Sequence, residues 1–325
     1  MEKRKLGRSG IEVSALGLGC WAIGGPFILG GKADGWGQVD DEESIRAIHK
    51  ALDLGVNFID TADCYGVGHS EEVIGKALNG KRDKAVIATK FAHFGNEATK
   101  TLHGVNLTPD YIERACDASL KRLQTDYIDL YQLHEWNVAL VEVDPILDAL
   151  DRLVQKGKIR TYGWSTDLVN GALLFSQREN CSAIQHCMNI FQDASEMVNF
   201  CEKNDLASIN RSPLAMGFLT GKFKSDSVVA KDDVRGAGHS WVPFFKDGKP
   251  EEESLKRLDS VKEILTSDGR TLTQGAICWL WARSGKTIPI PGFKSVKQIE
   301  ENAGALEKGP LSSEQMSEIE KILGR

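Results

Sequence analysis

The chain has 325 residues, 41% apolar and 26% charged, and its 40 Lys+Arg against 46 Asp+Glu give a net charge of −6. That is the make-up of a soluble globular protein, with material for one large domain or two ordinary ones. An acidic balance without a basic block excludes a nucleic-acid footprint, and no apolar run approaches the roughly 20 residues that cross a bilayer. The amino terminus shows no signal-peptide pattern. The seven cysteines are scattered, without a Cys-x-x-Cys pair, so neither a disulfide framework nor a zinc motif is expected. A reducing, cytoplasmic setting is.

Lys5 to Val13, with Ser9-Gly10 as its turn, predicts a small hairpin. The apolar run from Val13 to Trp21 predicts a first strand. A glycine-rich loop follows to about Val39, then a helix capped by Asp40 or Asp41 that runs through Leu54. Ile45, Ile48, Ala51 and Leu52 repeat with the helical period. Further strands are predicted near 57–61, 85–90, 127–133, 159–164, 183–188, 207–210 and 287–290. Helices are predicted over 69–79, 108–123 (Pro109 in its first turn), 144–156, 167–179, 194–204 and 271–284.

Eight strands alternating with about eight helices imply a parallel sheet. In this length they fit a single closed (β/α)8 TIM barrel with an N-terminal hairpin and no domain linker. An open dinucleotide-binding sheet would carry Gly-x-Gly-x-x-Gly after its first strand, and Gly17-Leu18-Gly19-Cys20-Trp21-Ala22 lacks the third glycine. Two connections break the rhythm. Phe91 to Asn106 reads as irregular, and Pro213 to about Pro250, after the seventh strand, reads as a long binding loop around Gly217–Lys222.

A barrel gathers its chemistry at the carboxyl ends of its strands. Asp60 ends the strand Phe58-Ile59, Lys90 ends Val86–Thr89, and His134 follows Ile128–Leu133. Tyr65 lies one loop step beyond Asp60. An unperturbed tyrosine titrates near pH 10, and an ammonium about 4 Å away is worth roughly 4 kcal/mol at an effective dielectric of about 20. One close lysine could therefore turn Tyr65 into a general acid. Asp60 would hold Lys90 charged, and His134 would orient a carbonyl oxygen. A hydride from a nicotinamide completes such a reaction.

The order of these residues resembles the aldo-keto reductase superfamily almost end to end. Carrying the likeness are Gly17-Leu18-Gly19, Phe58-Ile59-Asp60-Thr61-Ala62 with Tyr65-Gly66, Ser70-Glu71, Thr89-Lys90, Asp126–Leu130 with His134, and Lys156–Ile159. Gly163 with Ser165, Pro213-Leu214-Ala215, Leu219–Lys222, Ile288–Gly292 and Glu301-Asn302 complete it. The long stretch over Asp40–Gly75 is most similar to bacterial reductases of the general-stress and sugar-aldehyde kind. The resemblance implies a (β/α)8 barrel with Tyr65 as proton donor, assisted by Lys90 and Asp60, and with His134 orienting the substrate.

It also implies a cofactor groove for NADP(H) in preference to NAD(H), with Gly19, Cys20, Trp21 and Asp60 at its inner end. Ser165, Thr166 and Gln185 would meet the nicotinamide carboxamide, although Thr166 stands where asparagine is usual. Arg211, just before Ser212, stands where many relatives stack a tyrosine on the nicotinamide, and a planar guanidinium can also stack on a ring. Pro213, Leu214, Gly217, Leu219, Gly221 and Lys222 would clamp the pyrophosphate. Lys294 and Ser295, following Gly292, would receive the 2′-phosphate at a helix amino terminus, with Gln298 standing where many relatives have a second arginine and weakening the phosphate grip. Glu301 and Asn302 would bind adenine.

The substrate is expected to be a small carbonyl compound or its alcohol. Its pocket would be lined by Trp21, Trp36, Phe91, His93 and Trp136, with Phe27, Phe94 and Trp241 as further aromatic candidates. Two other readings stay open on the sequence. One is an aldolase or lyase using Lys90 as a Schiff-base nucleophile. The other is an NADPH-binding redox sensor without physiological turnover.

Overall fold

The computed structural model describes residues 3–325, with the backbone alone at position 140. Eight parallel strands form one sheet: β1 (Gly17–Gly19), β2 (Phe58–Asp60), β3 (Val86–Phe91), β4 (Ile128–Leu133), β5 (Ile159–Ser165), β6 (Cys181–Cys187), β7 (Ala207–Arg211) and β8 (Thr287–Pro289). They neighbour one another in chain order. A parallel bridge between Gly19 and Gly292 brings the last strand's exit back to the first, and the Gly19 amide donates to the Pro291 carbonyl at 3.0 Å. A Cβ on Gly19 would lie 2.5 Å from the Ile290 carbonyl oxygen. This glycine is therefore needed for barrel closure itself, whatever else it touches.

The strand period of two explains what faces the axis. Phe58, Val86, Ala88, Leu130, Ala183, Ala207, Ile209 and Ile288 pack with one another inside the barrel. Leu6, Ile11 and Val13 plug its amino-terminal end. Those plug residues belong to the hairpin Lys3–Lys5 with Glu12–Ser14, as expected. The alternate strand residues, Ile59, Ile87, Phe91 and Tyr131 among them, face the helices in the larger outer core.

The helices are α1 (Asp41–Asp53), α2 (His69–Ala77), α3 (Pro109–Leu123), α4 (Leu140–Gln155), α5 (Val169–Ser176), α6 (Ser195–Lys203), α7 (Glu252–Thr266), α8 (Leu272–Arg283), α9 (Val296–Ala303) and α10 (Ser313–Leu323). Asp40 caps α1 by accepting the Glu43 amide. Helix α4 begins one turn before the expected residue 144. Pro145 thus lies inside the helix, where its missing N–H removes a bond to the carbonyl of the exposed Val141. Helices α7 and α10 lie outside the expected set. They are polar helices with narrow apolar stripes, such as Leu258, Val261 and Leu265.

The supposedly irregular stretch after β3 is ordered. His93–Asn96 and Thr101–Val105 pair antiparallel, and Thr101–Val105 pairs with Ile28–Leu29, which pairs with Lys32–Ala33. This four-stranded flap joins the loops that follow β1 and β3 on the carboxyl face. Its strands are short and half polar, so only the tertiary meeting of the two loops makes them strands.

Candidate active site

Asp60, Lys90, Gln132 and Gln185 continue the inward-facing rows of β2, β3, β4 and β6, one layer above the apolar plug. An ammonium has three N–H donors, and each of Lys90's has a partner. The three acceptors are Asp60 Oδ1 at 2.6 Å, the Thr61 carbonyl at 2.8 Å and Tyr65 Oη at 3.3 Å. The Lys90 side chain is 0% exposed and that of Asp60 is 2%. Burying such a pair is tolerable only when the remaining lone pairs are also satisfied. They are: Asp60 Oδ2 accepts from Gln185 Nε2 at 2.7 Å and Gln132 Nε2 at 3.1 Å.

Lysine donates to the Tyr65 oxygen, so the tyrosine's own proton is left to point elsewhere. The Lys90 ammonium stands beside this hydroxyl, as expected, but it does not act there alone. Burial first, and then the Asp60 carboxylate, raise Tyr65 well above its ordinary value.

His134 is half-buried behind Tyr65, ring to ring edge-on at 5.8 Å. Burial, then Lys90 and His93, hold its imidazole well below the usual range, so the ring is neutral at pH 7. Cys64 Sγ lies 3.4 Å from its Nδ1. A thiol donating there leaves the ring proton on Nε2.

Of the expected pocket residues, Trp21 stacks on Tyr65 (6.0 Å between rings) and meets Trp36 edge-on. His93 Nε2 lies 3.1 Å from the His134 carbonyl oxygen, and Trp136 is 60% exposed nearby on the loop after β4. Trp241 also stacks on Trp21, at 6.2 Å. Phe91 is not a pocket residue. It is fully buried against Tyr131 in the outer core, because it follows the inward-facing Lys90 by one position. Phe27 is also buried, packed with Ala62, Cys64, Val67 and Leu102, while Phe94 is exposed beside His103.

Along the expected groove the picture is mixed. The Thr166 hydroxyl donates to the Trp136 carbonyl and accepts the Leu168 amide, so it is spent on the loop. The Gln185 amide serves Asp60. Ser165 is buried at the end of β5, Cys20 is buried with its thiol near the Leu18 carbonyl, and Arg211 pairs with Asp167, which also accepts the Cys187 amide. After Pro213 and Leu214 comes a tight turn: Ser212, Ala215, Met216 and Gly217 all have positive φ. Three of these are not glycine, and strain of this kind collects at binding and catalytic sites.

Three cations meet at this turn. A Cβ on Gly217 would be 3.4 Å from Arg235 Nη1 and 3.7 Å from Lys222 Nζ. Partial burial and the neighbouring Arg235 lower the ammonium of both Lys222 and Lys294, while Asp233 opposes the change. Arg235 is itself held by Asp233, through Nε at 2.8 Å and Nη2 at 2.6 Å, and its Nη1 donates to the Met216 carbonyl at 3.1 Å. Arg235 was not foreseen, because Asp232-Asp233-Val234-Arg235 reads as solvated charge. Its signal is that it is the only arginine between Pro213 and Pro250.

Further along, Lys294 reaches the carbonyl oxygens of Trp36 and Gln38, and Ser295 caps α9. The side-chain oxygen of Gln298 accepts the Lys294 amide. Glu43 of α1 occupies part of that helix amino terminus, accepting the Val296 amide at 2.8 Å. Glu301 takes the Thr271 hydroxyl, and the buried Nδ2 of Asn302 has no partner among the described residues.

Among known proteins, the Aldo/keto reductase family profile matches residues 15–324. Aldo-keto reductase YhdN of Bacillus subtilis (strain 168) is 33% identical, over 99% of this chain and 94% of that protein. Aldo-keto reductase yakc [NADP(+)] of Schizosaccharomyces pombe is also 33% identical, over 97% of this chain and 89% of its own length. The structure of the glycerol dehydrogenase AKR11B4 from Gluconobacter oxydans superposes with a TM-score of 0.84 at 30% identity, covering 99% of this chain and 95% of that one.

Proposed function

We propose that this chain, which belongs to the aldo/keto reductase family, reduces a small aldehyde, ketone or sugar carbonyl to the alcohol, with Tyr65 as the proton donor. The chain is an NADP-dependent oxidoreductase, in keeping with the relative named for NADP(+). Its own residues fit that cofactor. Lys222, Arg235 and Lys294 put positive charge at the Gly217 turn, although Arg235 also pairs with Asp233, and the unpartnered Asn302 amide suits an adenine acceptor. Arg235, Lys222 and the Gly217 turn would hold the pyrophosphate and Lys294 the 2′-phosphate. Ser165 would meet the carboxamide. When bound, the reduced nicotinamide supplies the hydride.

The observation that carries the reading is the third hydrogen bond of Lys90. It fixes the Tyr65 oxygen as an acceptor from lysine and aims its proton outward. A hydroxyl held above its ordinary value still protonates an alkoxide, because an alkoxide is a far stronger base than a phenolate. The phenolate left behind takes a stronger bond from Lys90. His134, neutral and protonated on Nε2, donates to the same carbonyl oxygen, and Trp21 and Trp241 cover the pocket. The aldolase reading loses ground here, since a buried ammonium bonded to a carboxylate is not a free amine.

Tyr65→Phe tests the assignment. Carbonyl reduction, followed as loss of reduced-nicotinamide absorbance, should fall by roughly 10²–10⁴-fold while the Kd for NADPH stays unchanged. Rates within a few-fold of the parent would remove Tyr65 from its role.

A further inference from the structure

We propose that Asp63, Cys64 and His134 form a binding site for one divalent cation of borderline softness, for which Zn2+ is the best match. One ligating atom from each of the three lies within 4.8 Å of the others. Sequence spacing hides the cluster, because 70 positions separate Cys64 from His134 and only the barrel brings the ends of β2 and β4 together. The site stands whether or not His134 orients a substrate.

The geometry is close to what zinc requires. Zinc bonds thiolate sulfur at about 2.3 Å and imidazole nitrogen at about 2.0 Å. With those lengths, the 3.4 Å between Cys64 Sγ and His134 Nδ1 closes a sulfur–metal–nitrogen angle of about 104°, near the tetrahedral value. The separation of the two donor atoms is therefore already that of a metal-bound pair, and a small turn of the ring would aim Nδ1 at the ion.

Asp63 supplies the independent observation. Its side chain lies in a residue only 8% exposed, and its Oδ1 has no hydrogen-bond partner among the described residues. Buried polar atoms in native structures are nearly always paired, and a bound ion is one of the few partners that would complete this one. A cation held by Cys64 and His134 would be that partner, after a side-chain rotation that brings the carboxylate oxygen into bonding range. The donor set of thiolate, imidazole and carboxylate suits Zn2+ and disfavours Mg2+, which keeps an all-oxygen shell. Three protein ligands leave a fourth position open to water. Metal on Nδ1 would also keep the ring proton on Nε2 and add positive charge beside Tyr65.

The test is a titration of chelator-treated, full-length protein with Co2+ as a spectroscopic stand-in. The expected result is one equivalent bound, with a thiolate-to-cobalt charge-transfer band, displaced by Zn2+ and indifferent to excess Mg2+. Cys64→Ala should abolish the band and weaken Zn2+ binding by roughly a hundredfold or more, whereas Cys187→Ala should keep both. His134→Gln provides a second variant: the band persists while affinity falls. Absence of saturable binding to the parent protein overturns the proposal. So does uptake without a thiolate band, or a band that survives Cys64→Ala.

Discussion

Asp34 is a carboxyl group placed where a charge is costly. It lies in the flap, 7% exposed, and its Oδ1 has no hydrogen-bond partner among the described residues. The His239 Nε2 is 3.5 Å from Oδ1, but that nitrogen lies 2.8 Å from the Ala33 carbonyl oxygen and donates there. Burial pushes the Asp34 carboxyl up from 3.8 to about 7. Folding therefore favours the protonated form, and the sign of the linkage follows. The stabilisation is fully present below the unfolded value near 4 and is lost as the pH rises through about 7. At 1.36 kcal/mol per pH unit, the loss across that window approaches about 4 kcal/mol. Asp34→Asn keeps the shape and stays neutral. Urea unfolding of parent and variant at intervals from pH 4.5 to 8.5 should show the variant gaining steadily on the parent up to about pH 7, with a plateau above. Because the Asp34 carbonyl accepts the indole N–H of Trp21, Trp21 fluorescence should report a looser flap over the same range in the parent only. A difference between the two proteins that stays flat with pH would refute the reasoning.

Arg235→Gln should raise the Kd of NADPH and of NADH by the same factor, roughly 10–100-fold, because the pyrophosphate is common to both. Fluorescence titration would show a change confined to NADPH if the arginine served the 2′-phosphate instead. Lys294→Met should weaken NADPH alone, and equal losses for the two cofactors would move Lys294 off that phosphate. Glu43→Gln removes a carboxylate that accepts the Val296 amide at the start of α9. It should tighten NADPH and leave NADH unchanged; a looser NADPH complex would mean that Glu43 organises the site rather than competing for it.

How far the chain could be read in advance depended on the range of the forces involved. Asp60, Lys90 and His134 were legible because the strand period of two and the end of an apolar run are local signals, and a barrel converts strand ends into neighbours. The same alternation, applied with care, would have excluded Phe91, which cannot share the interior with Lys90 one position before it. Partner choice was not legible. The Thr166 hydroxyl bonds the Trp136 carbonyl, the Gln185 amide bonds Asp60, and Glu43 bonds the amide of Val296. Each link spans tens to hundreds of residues, and a polar group takes whichever partner the closed barrel sets within 3 Å. Tyr65 shows the consequence for chemistry. The sequence makes Lys90 its evident activator, yet burial and the Asp60 carboxylate both raise the hydroxyl above its ordinary value. The site is therefore best understood as a hydrogen-bond relay with a fixed direction. Asp60 orients Lys90 and Lys90 orients the tyrosine oxygen, and the proposed reaction uses the tyrosine proton that those bonds leave over.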